Sequence, residues 1–88
     1  MRWQRPAGLA TLLDDDVLWV LTSSQGRIVR LDAVGATIWK CAIGAPDADA
    51  VIEELARTND WEPHVIREHV VHFIDDLVAR GLLERCES

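Results

Sequence analysis

The sequence predicts an α+β domain in which a three-stranded antiparallel sheet is followed by three helices. The first third of the chain consists of short apolar, partly β-branched runs separated by turn-forming residues, and from Asp32 onward apolar residues recur at helical spacing. Eighty-eight residues make one domain, residues 1–88, which buries only about 60–65% of its unfolded surface. That small interior favours a binding domain over an enzyme with a deep active site.

The predicted sheet consists of the segments 8–13 ("GLATLL"), 17–22 ("VLWVLT") and 27–31 ("RIVRL"). The charged run "DDD" forms the first turn and "SSQG" the second, where Gly26 supplies the backbone freedom that a tight connection needs. Short turns make neighbouring strands antiparallel. In the simplest order the first and third strands are the two edges, each with unpaired backbone N–H and C=O groups.

The predicted helices cover residues 33–43, 48–58 and 63–80. Asp32 caps the first helix, Asp47 or Asp49 caps the second, and Pro63 suits the first turn of the third because its missing N–H would have no helical partner. The residues of the first helix that we expect to face inward are Val34, Ile38, Trp39 and Ile43.

The third helix has a wider apolar arc than one core face requires. Its main stripe consists of Ile66, Val70, Phe73, Ile74 and Leu77. At about 100° per residue, Val71 and Val78 fall on one shoulder of that stripe. Either Leu82, Leu83 or another neighbouring element covers this shoulder, or a binding partner does.

Composition and charge restrict the possible environments and partners. With 49% hydrophobic residues and four Trp, the chain is typical of a globular protein. It has neither the apolar run of a secretory signal nor a stretch long enough to cross a membrane, so we expect a cytoplasmic protein without a membrane partner. Residues 1–40 carry five basic and four acidic side chains, whereas residues 41–88 carry four basic and eleven acidic ones. The acidic helical half would repel nucleic-acid phosphates.

Catalytic and metal-binding patterns are weak. Cys41 and Cys86 lack C-x-x-C spacing, which favours two reduced thiols. His69 and His72 stand three residues apart, with Asp76 four further on, but no third strong ligand is set by the sequence, so a solvated helix face is favoured over a metal site. No nucleophile and base are brought together. We therefore expect no enzyme activity, no metal and no other cofactor.

Three motifs together resemble a known family. They are "GRIVRLDAVGATIW", "TNDWEP" after the second helix, and "LVARGLLE" at the end of the third. In this order they are similar to the PqqD-like family of peptide-binding domains, also called RiPP recognition elements, over about residues 8–84. Members more often have Asn at the position of Asp32, but both residues cap helices. As a separate small domain the chain looks most similar to the leader-binding subunit of lasso peptide maturases.

The resemblance implies a winged helix-turn-helix-like fold and a non-catalytic adaptor. Such domains bind the leader region of a ribosomally synthesised precursor peptide, which adds as a strand to the third strand beside the third helix, and present it to a maturation enzyme such as a leader peptidase. A winged-helix DNA-binding regulator is the alternative, although no nucleic-acid partner is expected. We expect a monomer or a weak dimer, because two free edges could pair with each other.

Mapped onto this sequence, the resemblance places the peptide between residues 27–31 and one face of the third helix. Alternation in "RIVRL" puts Val29 and Leu31 toward the core, which leaves Ile28 and Arg30 on the opposite face. The predicted peptide-binding residues are Arg27, Ile28, Val29, Arg30 and Leu31 on the strand and Arg67, Val71, Ile74, Asp75 and Val78 on the helix. Ile28, Val71 and Val78 could instead be ordinary, partly exposed apolar residues.

Overall fold

In a computed structural model of the chain, residues 2–22 and 26–86 are described, and within them lie five strands and three helices. The strands are β1 (Arg2–Gln4), β2 (Leu9–Asp14), β3 (Val17–Thr22), β4 (Arg27–Leu31) and β5 (Glu84–Cys86). The helices are α1 (Ala33–Ala42), α2 (Ala48–Asn59) and α3 (Pro63–Ala79). The predicted order of a three-stranded sheet followed by three helices is confirmed.

The main sheet has the order β2-β3-β4, with both pairings antiparallel. Thr11 lies opposite Val20, and Val20 lies opposite Val29. The predicted third strand is therefore β4, and β2 and β4 are the edges of this sheet. Of the predicted turn "SSQG", residues 23–25 lie outside the described residues; Gly26 follows with a φ of +62°, the left-handed region that glycine adopts without strain.

Each helix begins at a residue suited to that position. The Asp32 side chain accepts a hydrogen bond from the Gly35 N–H at 2.7 Å, so one residue ends β4 and caps α1. Asp47, rather than Asp49, caps α2, since it accepts from the Ala50 N–H at 2.9 Å. Pro63 occupies the first turn of α3 and needs no hydrogen-bond partner there.

The core lies between one face of the main sheet and the three helices. Alternate residues of β3 and β4 supply the sheet side of this core: Leu18, Val20, Val29 and Leu31. Leu82 and Leu83 are also buried, and the Leu82 carbonyl accepts a hydrogen bond from Trp39 Nε1 at 2.9 Å. The segment after α3 therefore closes one side of the core, as the sequence allowed.

A second, two-stranded sheet was not predicted. β1 pairs antiparallel with β5, so residues from the two ends of the chain lie side by side. The Trp3 carbonyl also accepts a hydrogen bond from the Gly44 N–H at 3.0 Å, which ties β1 to the end of α1. Strands of three residues are too short for a recognisable period, and their pairing joins residues 80 to 84 positions apart.

Candidate functional site

The β4 edge strand is the first component of the candidate site. Its side chains alternate as predicted: Val29 and Leu31 are buried, whereas Ile28 is 66% exposed and Arg30 is also exposed. Arg27 is exposed at the start of the strand. Because Val29 and Leu31 are core residues, their side chains are not available for binding.

The backbone groups of β4 also alternate. The Arg27 N–H donates to Thr22 Oγ1 at 3.2 Å, so this amide points toward β3. In an antiparallel strand, successive residues direct their N–H and C=O groups to opposite sides. Ile28 and Arg30 therefore direct theirs away from β3, toward the free edge. These two residues offer up to two donors and two acceptors to an added strand.

Phe73 of α3 reaches the end of β4. A Cβ atom on Gly35 would lie 2.9 Å from Cζ of Phe73 and 3.7 Å from Cβ of Leu31. The ring thus lies against the first turn of α1, beside the point where β4 ends. His69, one turn earlier on α3, stacks on Phe73 with 6.3 Å between the ring centroids.

His69 also lines an apolar cavity of about 470 Å³, which lies between α1, the α2–α3 connection and the first half of α3. Three of the residues that line it are large and exposed hydrophobics: Val34 at 45%, Trp61 at 39% and Val65 at 68%. The rest of the lining consists of Ile38, Ile66, His69 and Val70 and of the acidic Asp60 and Glu62. The cavity is large enough to receive one or two apolar side chains.

Val34 lies in this cavity and not in the core. The sequence predicted that it faces inward, and that prediction is wrong because Val34 is 45% exposed and lines the open cavity between α1 and α3. Trp61 and Val65 were not predicted as functional residues. The one signal in the sequence was that both stand at a helix junction, outside the core stripe of α3, where a large apolar residue has no evident packing partner.

The predicted α3 residues lie elsewhere on the helix. Ile74 is a core residue, and Val71 and Val78 are half-buried and pack against the core. Arg67 forms an ion pair with Asp49 of α2, and Asp75 lies 3.5 Å from Arg85 of β5.

Helical geometry explains this separation. At about 100° per residue, Val71 and Asp75 project about 160° away from Phe73. The structure therefore brings Phe73 to the end of β4, and it places the predicted five toward α2, the core or β5. The sequence contained a signal for Phe73: Gly35 stands inside a helix, where a glycine often marks the close approach of another group.

Charges around β4 are basic. Neither Arg27 nor Arg30 is paired with a carboxylate among residues 2–22 and 26–86. At the cavity, Asp60 and Glu62 are acidic and exposed. The strand and the cavity thus differ in charge, which would favour a ligand with acidic groups beside β4 and apolar groups in the cavity.

Other chemical groups do not form a site within the described part of the chain. No cluster of three His, Cys, Asp or Glu side chains suited to a metal occurs there. Cys41 is a half-buried free thiol, and burial, followed by the nearby Glu54 carboxylate, raises its pKa. A raised pKa disfavours the reactive thiolate. The helices of this region are too short or too polar to cross a membrane.

Comparisons with known proteins identify a family from the sequence and a fold from the structure. The family model described as coenzyme PQQ synthesis protein D (PqqD) matches residues 12–83. A structure of TbiB1 in complex with the TbiA(beta) leader peptide superposes with a TM-score of 0.79 at 19% identity, covering 97% of this chain and 99% of that one. A structure of lasso peptide synthetase B1 complexed with the leader peptide gives 0.78 at 14%, covering 97% and 100%. No curated protein sequence gives a significant match.

Proposed function

The chain belongs to the PqqD family, and from this premise we propose that it is a non-catalytic adaptor that binds the leader region of a ribosomally synthesised precursor peptide. The leader adds as an antiparallel strand to the free edge of β4. The adaptor then presents the peptide to a maturation enzyme such as a leader peptidase.

One observation carries the proposal: the free edge of β4 ends beside Phe73, and His69, which stacks on Phe73, lines an apolar cavity. An open edge strand binds any extended peptide through its backbone, and neighbouring side-chain pockets supply the specificity. The exposed backbone groups of Ile28 and Arg30 are available to bind the peptide backbone. Phe73 and the cavity beyond it supply the side-chain pocket for specificity.

The free energy of binding requires both the backbone hydrogen bonds to β4 and the burial of apolar side chains in the cavity. Four backbone hydrogen bonds contribute about 1 kcal/mol each, which falls short of the ~8 kcal/mol of a micromolar complex even before the ordering cost of the peptide. Two apolar side chains, buried at about 1.5–3 kcal/mol each, would supply much of the difference. The cavity beside Phe73 has the volume and the apolar lining for them.

Strand direction fixes which part of the leader meets the cavity. β4 runs from Arg27 to Leu31, and Val34, three residues after Leu31, lines the cavity. An antiparallel peptide therefore has its N-terminal end near Leu31 and its C-terminal end near Arg27. The apolar anchors belong on the N-terminal side of the segment that pairs with β4. The cleaved or modified region follows at the Arg27 end.

The similar fold of two leader-bound proteins supports leader binding, and the name of one of them, lasso peptide synthetase B1, supports lasso peptide biosynthesis as the biological context. We propose that Arg27 and Arg30 attract acidic residues of the leader. On α3, Phe73 makes the direct contact with the leader. The α3 residues expected from the sequence support binding only by maintaining the fold; they are Arg67, Val71, Ile74, Asp75 and Val78.

An amide-shift titration tests the proposal. The neighbourhood of the gene is first searched for a short precursor-like reading frame, whose leader is the peptide to use. We expect the largest shifts at residues 26–35 and around Phe73, with little change in the middle of α2. Shifts confined to α2, or their absence at millimolar peptide, would exclude strand addition to β4.

Duplex DNA is the control ligand for the alternative function. The net charge of −7 over residues 41–88 predicts no salt-sensitive binding of a duplex. Micromolar affinity for DNA that decreases steeply with salt would favour the winged-helix regulator instead.

A further inference from the structure

We propose that β2 is a homodimerisation edge at which two copies of the chain form a continuous six-stranded sheet. β2 is the other edge of the main sheet, and residues 10–14 are all exposed. Leu12 is 62% exposed on the outer face and Leu13 is 63% exposed on the helical face. A strand that is apolar and uncovered on both faces, and open along its edge, is a strong template for pairing.

The two edges of the sheet differ in how well they are protected against pairing with the strand of another molecule. β4 carries Arg27 and Arg30, and charged side chains discourage edge-to-edge association. β2 has the sequence "LATLLD", with no charge before Asp14 and no proline. The unprotected edge is therefore β2, on the opposite side of the sheet from the proposed peptide site.

The hydrogen-bonding pattern selects a register. The backbone N–H and C=O groups of Val29 and its alternate neighbours point toward β3. Because the backbone groups of β3 alternate in the same way, Leu9, Thr11 and Leu13 direct theirs to the free side of β2. The Leu9 carbonyl is already occupied, because Arg5 Nη2 donates to it at 3.3 Å. This independent contact agrees with an outward-facing Leu9.

Thr11 and Leu13 are then the residues available for pairing. A two-fold axis at Leu12 pairs Thr11 of each copy with Leu13 of the other and forms four hydrogen bonds. It also places the two Leu12 side chains directly opposite each other on the outer face. The Leu9 carbonyls keep their contacts with Arg5.

Charge complementarity favours a second copy as the occupant. The acidic turn of residues 14–16 lies at one end of β2, and Arg5 lies at the other. Antiparallel pairing of identical strands brings each acidic turn to the Arg5 end of the partner copy. Charges of opposite sign then meet at both ends of the interface.

The size of the surface predicts a weak dimer. One six-residue edge and two leucines per copy offer much less than the ~800 Å² per partner of a standard interface. Association should therefore depend on concentration. Both β4 edges remain outermost in the six-stranded sheet, so dimerisation and peptide binding are independent, and either proposal could fail without the other.

Sedimentation velocity of the full chain tests the proposal. We expect a reversible monomer–dimer equilibrium between about 10 µM and 1 mM, and weaker association at about 0.5 M salt because the charge contacts are screened. Leu12→Lys should raise the dimer dissociation constant at least about tenfold. The matched control is Ile28→Lys, an equally exposed isoleucine on β4, which should leave the dimer unchanged.

Cross-linking tests the register. Directly opposed residues of a non-hydrogen-bonded pair have Cα atoms about 4.5 Å apart, within the range for a disulfide. Leu12→Cys should therefore form a 12–12 disulfide on mild oxidation, identified by peptide mapping, and Thr11→Cys should form much less. A monomer at every concentration, or a dimer lost in Ile28→Lys and kept in Leu12→Lys, would overturn the proposal.

Discussion

The phenyl ring of Phe73 occupies the space that a side chain at Gly35 would need, since a Cβ there would lie 2.9 Å from Cζ of the ring. It would also lie 3.2 Å from the Asp32 carboxylate that caps α1. The absence of a side chain at Gly35 therefore sets how closely α3 approaches the end of β4. It also sets the shape of the proposed peptide cleft.

Gly35→Ala should alter binding more than stability. Alanine favours the helix by up to about 1 kcal/mol, and displacing the tip of the ring costs about 1–3 kcal/mol, so the two effects partly cancel. We expect urea denaturation to show a loss of about 1 kcal/mol, and calorimetry to show leader affinity reduced several-fold. Thr37→Ala, at an exposed position of the same helix, is the control and should leave affinity unchanged. Unaltered affinity in Gly35→Ala would mean that the ring does not shape the cleft.

Proline substitutions at neighbouring positions of β4 should have opposite consequences. The Ile28 N–H points to the free edge, so Ile28→Pro removes a donor that only the peptide uses, and we expect lost binding with a largely intact fold. The Val29 N–H points toward β3, so Val29→Pro should unfold the sheet. Circular dichroism and the amide-shift titration distinguish the two. Full affinity in Ile28→Pro would exclude strand addition to β4.

Alanine substitutions on α3 separate the two faces of the helix. Phe73→Ala should weaken leader binding about tenfold or more because an anchor contact of roughly 1.5–3 kcal/mol is removed. Val71→Ala, two residues away and half-buried, should lower the stability by about 1 kcal/mol and leave affinity unchanged. If Val71→Ala weakened leader binding and Phe73→Ala did not, the peptide would bind against Val71 and Val78 instead.

Sequence patterns predicted the main fold because local rules govern it. Alternation in β4, the cap at Asp32 and the proline of α3 all follow from neighbouring residues. The helix side of the candidate site depends instead on the rotation of α3 about its own axis, which is set by packing against α1 and α2. A wide apolar arc is compatible with several rotations, and the sequence pattern assigned Phe73 to the core stripe and Val71 to the shoulder open to a partner. Gly35 is the residue that distinguishes them.

The thiol of Cys41 should react slowly for a cysteine. Burial and the Glu54 carboxylate raise its pKa above the ordinary value of 9.0, so little thiolate forms near pH 8. We expect iodoacetamide to modify Cys41 more slowly in the native protein than after denaturation. Glu54→Gln removes the carboxylate and should speed the native reaction slightly, whereas Glu53→Gln, its exposed neighbour, should not.

The raised pKa of Cys41 also makes the stability of the protein depend on pH. As the pH rises through about 8.5–9, the unfolded chain releases the thiol proton first, so unfolding becomes more favourable and the contribution of the neutral thiol is lost. Below that range the contribution is fully present. Denaturation of the wild type and Cys41→Ala between about pH 7 and 10 should therefore differ in slope, with the wild type losing stability faster at high pH. Parallel curves would show that the folded thiol ionises as readily as the unfolded one.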